Sequence, residues 1–140
     1  MYLIDTDVIS EIRKRERADP GVAVFFRQAV ADDTALYLSA ITVGELRRGV
    51  EIIRQRGDAD QAGKLEQWLT LILNEYSDNV LPIDGEIAQI WARLRVPHPE
   101  NPLDKLIAAT ALIHDLTLVT RNVRHFAKFG VRLVDPFGRS

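Results

Sequence analysis

The sequence contains no cysteine, which excludes disulfides and thiolate metal sites and suits a reducing compartment. It has no marked excess of either charge: 18 Lys and Arg stand against 20 Asp and Glu, a formal net charge of −2. Such a balance gives no overall attraction to nucleic acid, so binding of that kind must come from a local basic patch. No apolar run approaches the ~20 residues that a membrane-spanning helix needs. Met1 leads almost at once to Asp5 and Asp7, not to a basic segment followed by a long apolar one, so a signal peptide is not expected. A soluble cytoplasmic protein with no membrane partner is the expectation. Gly-rich phosphate or dinucleotide loops, a G-x-S-x-G elbow and an H-E-x-x-H helix are all missing. The three histidines, His98, His114 and His125, stand apart from one another.

What is present describes one globular domain over residues 1–140, with 46% hydrophobic and 27% charged residues. A short β-forming run, Tyr2 to Asp5, leads into a helix expected over Val8 to Arg17. That helix ends in the basic cluster Arg13-Lys14-Arg15-Glu16-Arg17, a solvated face or a phosphate patch. Asp19-Pro20-Gly21 punctuates the chain before a helix over Val22 to Ala31. A second strand at Leu36-Tyr37-Leu38 opens into a helix carrying Val43, Leu46, Val50 and Ile53 on one side. Thr42 and Glu45 there fit a capping box, which would give Glu45 a purely structural task.

Leu65, Trp68, Leu69, Ile72, Leu73 and Tyr76 recur at i, i+3, i+4 and i+7, so those aromatics read as core or subunit interface. A third strand, Val80 to Ile83, carries Pro82, which points to a sheet edge. Asp84 caps a helix striped with Ile87, Ile90, Trp91 and Leu94, and an exposed loop with His98 follows. Asn101-Pro102-Leu103-Asp104 opens a helix with a cap residue, Pro at the first position and an acid in the first turn. Leu106 to Ile113 is apolar nearly all round, so this helix is expected to be buried, and His114 near its end faces the negative dipole end. A fourth strand, Leu116 to Val119, ends in Thr120-Arg121-Asn122, and a last strand lies at Val131 to Val134. No internal repeat or low-complexity segment occurs.

Strands alternating with helices predict an α/β, three-layer domain with a five-stranded, mainly parallel sheet flanked by helices. In such folds functional groups collect beyond the carboxyl ends of the strands. Asp5, Glu45, Asp104 and Asn122 all fall on that edge. Thr6 or Asp7 could instead simply cap the following helix, and Glu45 and Asp104 have capping explanations of their own. Yet two like charges about 4 Å apart cost ~4 kcal/mol at an effective dielectric of ~20, more than the ~0.3–1 kcal/mol that a helix dipole returns. A hard divalent cation balances the difference. Oxygen donors without Cys or paired His point to Mg²⁺ or Mn²⁺ rather than Zn²⁺, and phosphodiester hydrolysis by an activated water is the natural reaction.

Leu3-Ile4-Asp5-Thr6-Asp7-Val8, Ser39-x-x-Thr42-x-x-Glu45-Leu46-x-x-Gly49, Pro102-Leu103-Asp104-x-x-Ile107-Ala108 and Val119-Thr120-Arg121-Asn122 follow one another along the chain. In order and approximate spacing they resemble the PIN-domain family, and within it the VapC-type toxin ribonucleases of bacterial toxin–antitoxin pairs. The resemblance implies a Mg²⁺- or Mn²⁺-dependent endoribonuclease, a homodimer, an RNA substrate and a VapB-type antitoxin. It implies Asp5 and Asp104 as catalytic metal ligands, with Glu45 as the third acid, and Asp7 and Thr120 as supporting residues. Asn122 stands where many relatives carry a fourth acid, with His125 three residues on, so one bound ion is expected rather than a stable pair. Arg13, Lys14, Arg15, Arg47 and Arg48 become candidates for guiding RNA phosphates. Three other readings stay open. A catalytically weak PIN-fold binding or regulatory subunit is one, and a haloacid-dehalogenase-like phosphatase with Asp5 as nucleophile is another. The third is a receiver-like module using Asp84, which lacks the basic residue needed after strand five.

Overall fold

The computed structural model describes residues 1–138. The first strand, β1 (Tyr2–Ile4), is only three residues long, but alternation sends its side chains to opposite faces. Leu3 and Ile4 are both fully buried, in two different cores. Ile4 packs with Val8, Val22, Leu38, Leu46, Leu69 and Val119 on one face of the sheet. Leu3 packs with Ile107, Ala108, Leu118 and Phe126 on the other. Each such side chain contributes roughly 1.5–3 kcal/mol by leaving water, so two residues of β1 hold three layers together.

The strands β1, β2 (Leu36–Ser39), β3 (Val80–Leu81), β4 (Thr117–Val119) and β5 (Leu133–Val134) form one sheet in the order β3-β2-β1-β4-β5. Every pairing is parallel, so the expected five-stranded, mainly parallel sheet is entirely parallel. The edge that Pro82 signals belongs to β3, as expected. From β1 the chain winds outward through β2 to β3, then returns to the opposite side of β1 for β4. The crevice between the carboxyl ends of β1 and β4 is therefore the topological switch point, where α/β sheets hold their ligands.

Around the sheet lie α1 (Thr6–Glu11), α2 (Pro20–Ala31), α3 (Ala40–Gln55), α4 (Ala59–Glu75), α5 (Gly85–Leu94), α6 (Pro102–Ile113) and α7 (Val123–Ala127). The helix expected over Val8–Arg17 starts earlier and stops at Glu11, giving way to 3-10 turns over Ile12–Arg17 with Arg15 at φ 55°. No residue of that basic stretch is buried, so no apolar face sustains a continued helix. Helix α2 likewise begins at Pro20, because Asp19 caps it through the backbone N–H groups of Gly21 and Val22.

The expected capping box at Thr42 and Glu45 does not form. Ser39 is the cap of α3, its hydroxyl accepting from the Ile41 N–H at 3.1 Å, which leaves Glu45 free for another partner. Asp84 caps α5 as expected, accepting from Ile87 N–H. Asn101 stands at the cap position of α6, but in the left-handed region at φ 55°, and its side chain makes no capping bond. Six residues of α6 from Lys105 to Ala111 are buried, in keeping with its nearly uniform apolar character. His114 is the exposed C-cap of α6, and His98 lies in an exposed loop.

Candidate active site

Asp5 follows β1 directly, and its backbone N–H continues the sheet by donating to the Val119 carbonyl at 2.9 Å. It is also the N-cap of α1, Oδ1 accepting from the Thr6 N–H at 2.8 Å. The cap is thus Asp5 itself, not Thr6 or Asp7. Its other oxygen, Oδ2, accepts from the Thr120 hydroxyl at 2.7 Å. Thr120 is fully buried just past β4, so the ends of the two central strands are joined through one carboxylate.

Those two hydrogen bonds do not offset the burial of Asp5, which is only 6% exposed. Desolvation pushes its carboxyl up to about 7, with Asp7 adding to the rise and Asp104 contributing further; the Thr120 and Thr6 bonds act in the opposite direction. A carboxyl raised chiefly by burial, and further by two neighbouring acids, is a candidate functional group that a nearby positive charge would stabilise.

Glu45 reaches the same region through Thr6. The Thr6 hydroxyl lies 3.1 Å from Glu45 Oε1 and 3.2 Å from the buried Thr42 hydroxyl. Asp104, in the first turn of α6, lies beside His125 of α7, with Oδ2 3.1 Å from Nε2. That contact is at ion-pair distance without hydrogen-bond alignment, and Nε2 has no other partner. Sequence reasoning noticed His125 but gave it no task, since its approach to Asp104 depends on how α7 packs.

Asp7 Oδ2 accepts from the Arg121 N–H at 3.2 Å, whereas its Oδ1 is buried without a partner. Burial also raises the Asp7 carboxyl. Asn122 is exposed, and its side chain makes no capping bond to α7; its backbone N–H donates to the Thr120 hydroxyl at 3.1 Å. It therefore supports the site through its main chain.

The donors present fit a hard divalent cation in kind: oxygen atoms, excess negative charge and an orphaned carboxylate oxygen at Asp7. They do not form a closed cage. Among the described residues, no group of three or more Asp, Glu, His or Cys side chains is assembled that could hold a metal ion alone. The sequence expectation of three converging ligands is thus met only as linked neighbours, Asp5 to Asp104 by charge and to Glu45 through Thr6. Magnesium held by one or two carboxylates, with water and substrate phosphate completing its shell, matches such an open arrangement.

The basic candidates fall into three cases. Arg13, Lys14 and Arg15 are exposed and line a cleft of about 520 Å³ with Arg17, Lys64 and Trp68, although Lys14 also bonds Glu11 at 2.9 Å. Arg47 is engaged elsewhere, gripping Glu66 in a two-pronged ion pair at 2.7 and 2.8 Å. Arg48 is exposed and makes no ion pair among the described residues.

The family model for the PIN domain matches residues 2–131. Toxin FitB of Neisseria gonorrhoeae is 35% identical over 143 residues, covering 98% of this chain and 99% of that protein. VapC ribonuclease Y4jK of Sinorhizobium fredii is 32% identical over 147 residues, with 98% of each covered. A chain of the crystal structure of FitAcB from Neisseria gonorrhoeae aligns with a TM-score of 0.83 at 34% identity, covering 97% of this chain and 98% of that one. No helix among the described residues is long and apolar enough to cross a membrane.

Proposed function

This chain belongs to the PIN-domain family, and from that premise we propose that it is a metal-dependent endoribonuclease, the toxin of a VapBC-type toxin–antitoxin pair. The observation that carries the reading is Asp5: a buried carboxyl at the switch point, raised to about 7 by burial and by Asp7 and Asp104. A relative named VapC ribonuclease supports the activity, and the FitB toxin supports the biological role. The partners that follow are RNA, a VapB-type antitoxin and a second copy of this chain, all in the cytoplasm. Membership of this family displaces the phosphatase and receiver readings.

Asp5 and Asp104 would hold Mg²⁺ or Mn²⁺, with Glu45 as the third acid. When bound, the ion supplies a Lewis acid that lowers the pKa of a water and stabilises the leaving oxygen. Thr6 and Thr120 each fix one oxygen of Asp5, so its carboxylate needs no reorganisation on binding substrate. Glu45, with one oxygen bonded to Thr6, orients the attacking water and accepts its proton through the other. Asp7 and the Asn122 backbone hold the chain after β4 in place.

The test is cleavage of RNA by the purified protein with Mg²⁺, Mn²⁺ or EDTA. Divalent-dependent cleavage leaving 5′-phosphate and 3′-hydroxyl ends is expected, abolished by Asp5→Asn and by Asp104→Asn with the fold intact. Cleavage that survives EDTA, or that leaves cyclic phosphates, overturns the mechanism. Growth arrest on expression, relieved by Asp104→Asn, supports the toxin role. Binding of RNA without any cleavage would instead identify a regulatory subunit, which the uncharged Asn122 and the open donor set would suit.

A further inference from the structure

A second cleft, of about 320 Å³, opens between α5, the segment 96–101, α6 and the end of α7, and it is lined by Arg93, His98, Lys105, Lys128 and Phe129 together with Leu94 and Val96. Its floor contains a lysine that simple solvation does not explain. Lys105 is 2% exposed, and burying an ammonium costs several kcal/mol unless it is well paired. Its Nζ donates to the His98 carbonyl. No carboxylate lies within ion-pair distance of it among the described residues. An ammonium has three donors, so one neutral carbonyl leaves most of its capacity unused.

The charge around it has the same sign. Lys105 and Lys128 flank the Phe129 ring, their Nζ atoms 6.0 and 5.5 Å from its centroid. Lys128 and Arg93 are exposed and make no ion pair among the described residues. One acid faces this group: Glu100, whose carboxyl is held below the usual range by its own backbone N–H and then by Lys105, His98 and Lys128. Three cations against one acid leave an excess of two.

The cleft also lies beside the candidate acids. Lys105 adjoins Asp104 in the chain, and the Phe129 ring meets the His125 ring edge-on at 5.7 Å between centroids. His125 in turn lies 3.1 Å from Asp104. A volume of about 320 Å³ is at the small end of ligand pockets, ~300–1,000 Å³.

We propose that this cleft holds a backbone phosphate of single-stranded RNA next to the nucleotide being cleaved, with Lys105 and Lys128 as its main contacts and Arg93 at the rim. The inference rests on the ribonuclease reading and adds to it a fixed position for the strand, beside Asp104 and His125. Phosphate contacts position a strand without reading its sequence.

The experiment measures binding of a fluorescent single-stranded RNA to the full-length protein in EDTA across a salt series, together with cleavage in Mn²⁺. Lys128→Gln and Arg93→Gln are each expected to weaken binding roughly fivefold and to lower the log–log salt slope by about one. Arg56→Gln removes the same charge from the exposed end of α3 and is expected to leave both unchanged. Lys105→Met tests the buried amine, and the two surface variants carry the test if it does not fold. Variants that bind with wild-type affinity and slope, or that lose no more than Arg56→Gln, overturn the cleft while leaving the ribonuclease standing. A wild-type protein that neither binds nor cleaves RNA overturns both. Retained RNA binding in Lys128→Gln with loss of inorganic phosphate binding identifies a free-anion site and also overturns the proposal.

Discussion

The Thr6 hydroxyl and the Glu45 carboxylate meet at 3.1 Å, a contact that ties the first turn after β1 to the second turn of α3. Thr6 also donates its backbone N–H to Asp5, so one small residue positions two acids that are 40 positions apart. Thr6→Val keeps the shape and the backbone bond but removes the hydroxyl. Loss of about 1 kcal/mol of stability is expected, with a larger fall in kcat than in KM because Glu45 is no longer held. Thr6→Ser should restore both, as thermal melts and cleavage kinetics will show.

Thr120 acts on Asp5 from the other side, and its 2.7 Å bond is wholly buried. Hydrogen bonding to the charged form favours that form, so Thr120→Val should raise the Asp5 carboxyl further. The acid limb of the pH–rate profile would then move to higher pH. Stability should fall by about 2 kcal/mol at pH 8, where a charged oxygen is left unpaired, and by less at pH 5. Equal loss at both pH values would show that the threonine contributes packing alone.

Asp5 gives the metal-free protein an unusual dependence on pH. Its folded-state carboxyl lies near 7, above the value of about 4 in an unfolded chain. Between those values the folded protein binds more protons than the unfolded one, so stability falls as pH rises. The contribution is fully present below about pH 4 and lost by about pH 7. In EDTA, the melting temperature should therefore drop between pH 5 and pH 8, and Mg²⁺ should recover more of it at pH 8.

Asp5→Asn keeps a good helix cap while removing the charge. The expected result is an inactive protein that, in EDTA at pH 8, melts several degrees higher than the wild type. A variant both inactive and less stable would show that the ionised Asp5 carboxylate does not destabilise the metal-free protein.

Arg47 and Arg13 separate two meanings of a basic residue. Arg47 is tied to Glu66 at 2.7 Å, and an exposed pair of this kind contributes about 0.2–1 kcal/mol. Arg47→Gln should lower stability slightly and leave RNA affinity nearly unchanged. Arg13→Gln, on the open basic cleft, should do the reverse. A salt series of RNA binding, run beside thermal melts, distinguishes them.

The sequence by itself determined the alternation of strands and helices, because a short β-forming apolar run at Tyr2 to Ile4 and a period near four at Leu65, Trp68, Leu69 and Ile72 are local signals. It also placed Asp5, Asp104 and Thr120 at strand and helix ends, and so on one edge of the sheet. It pointed to Thr42 with Glu45 as the capping box of α3, whereas Ser39 is the cap and both Thr42 and Glu45 turn to the Thr6 hydroxyl. Nor could it show that Arg47 is engaged by Glu66 on another helix, or that Lys105 is buried beside Phe129. Those outcomes depend on neighbours 19 to 36 residues away or on solvent being shut out, and neither is written in a local pattern. The charge of Asp5 was legible; the burial that makes that charge costly was decided by the fold.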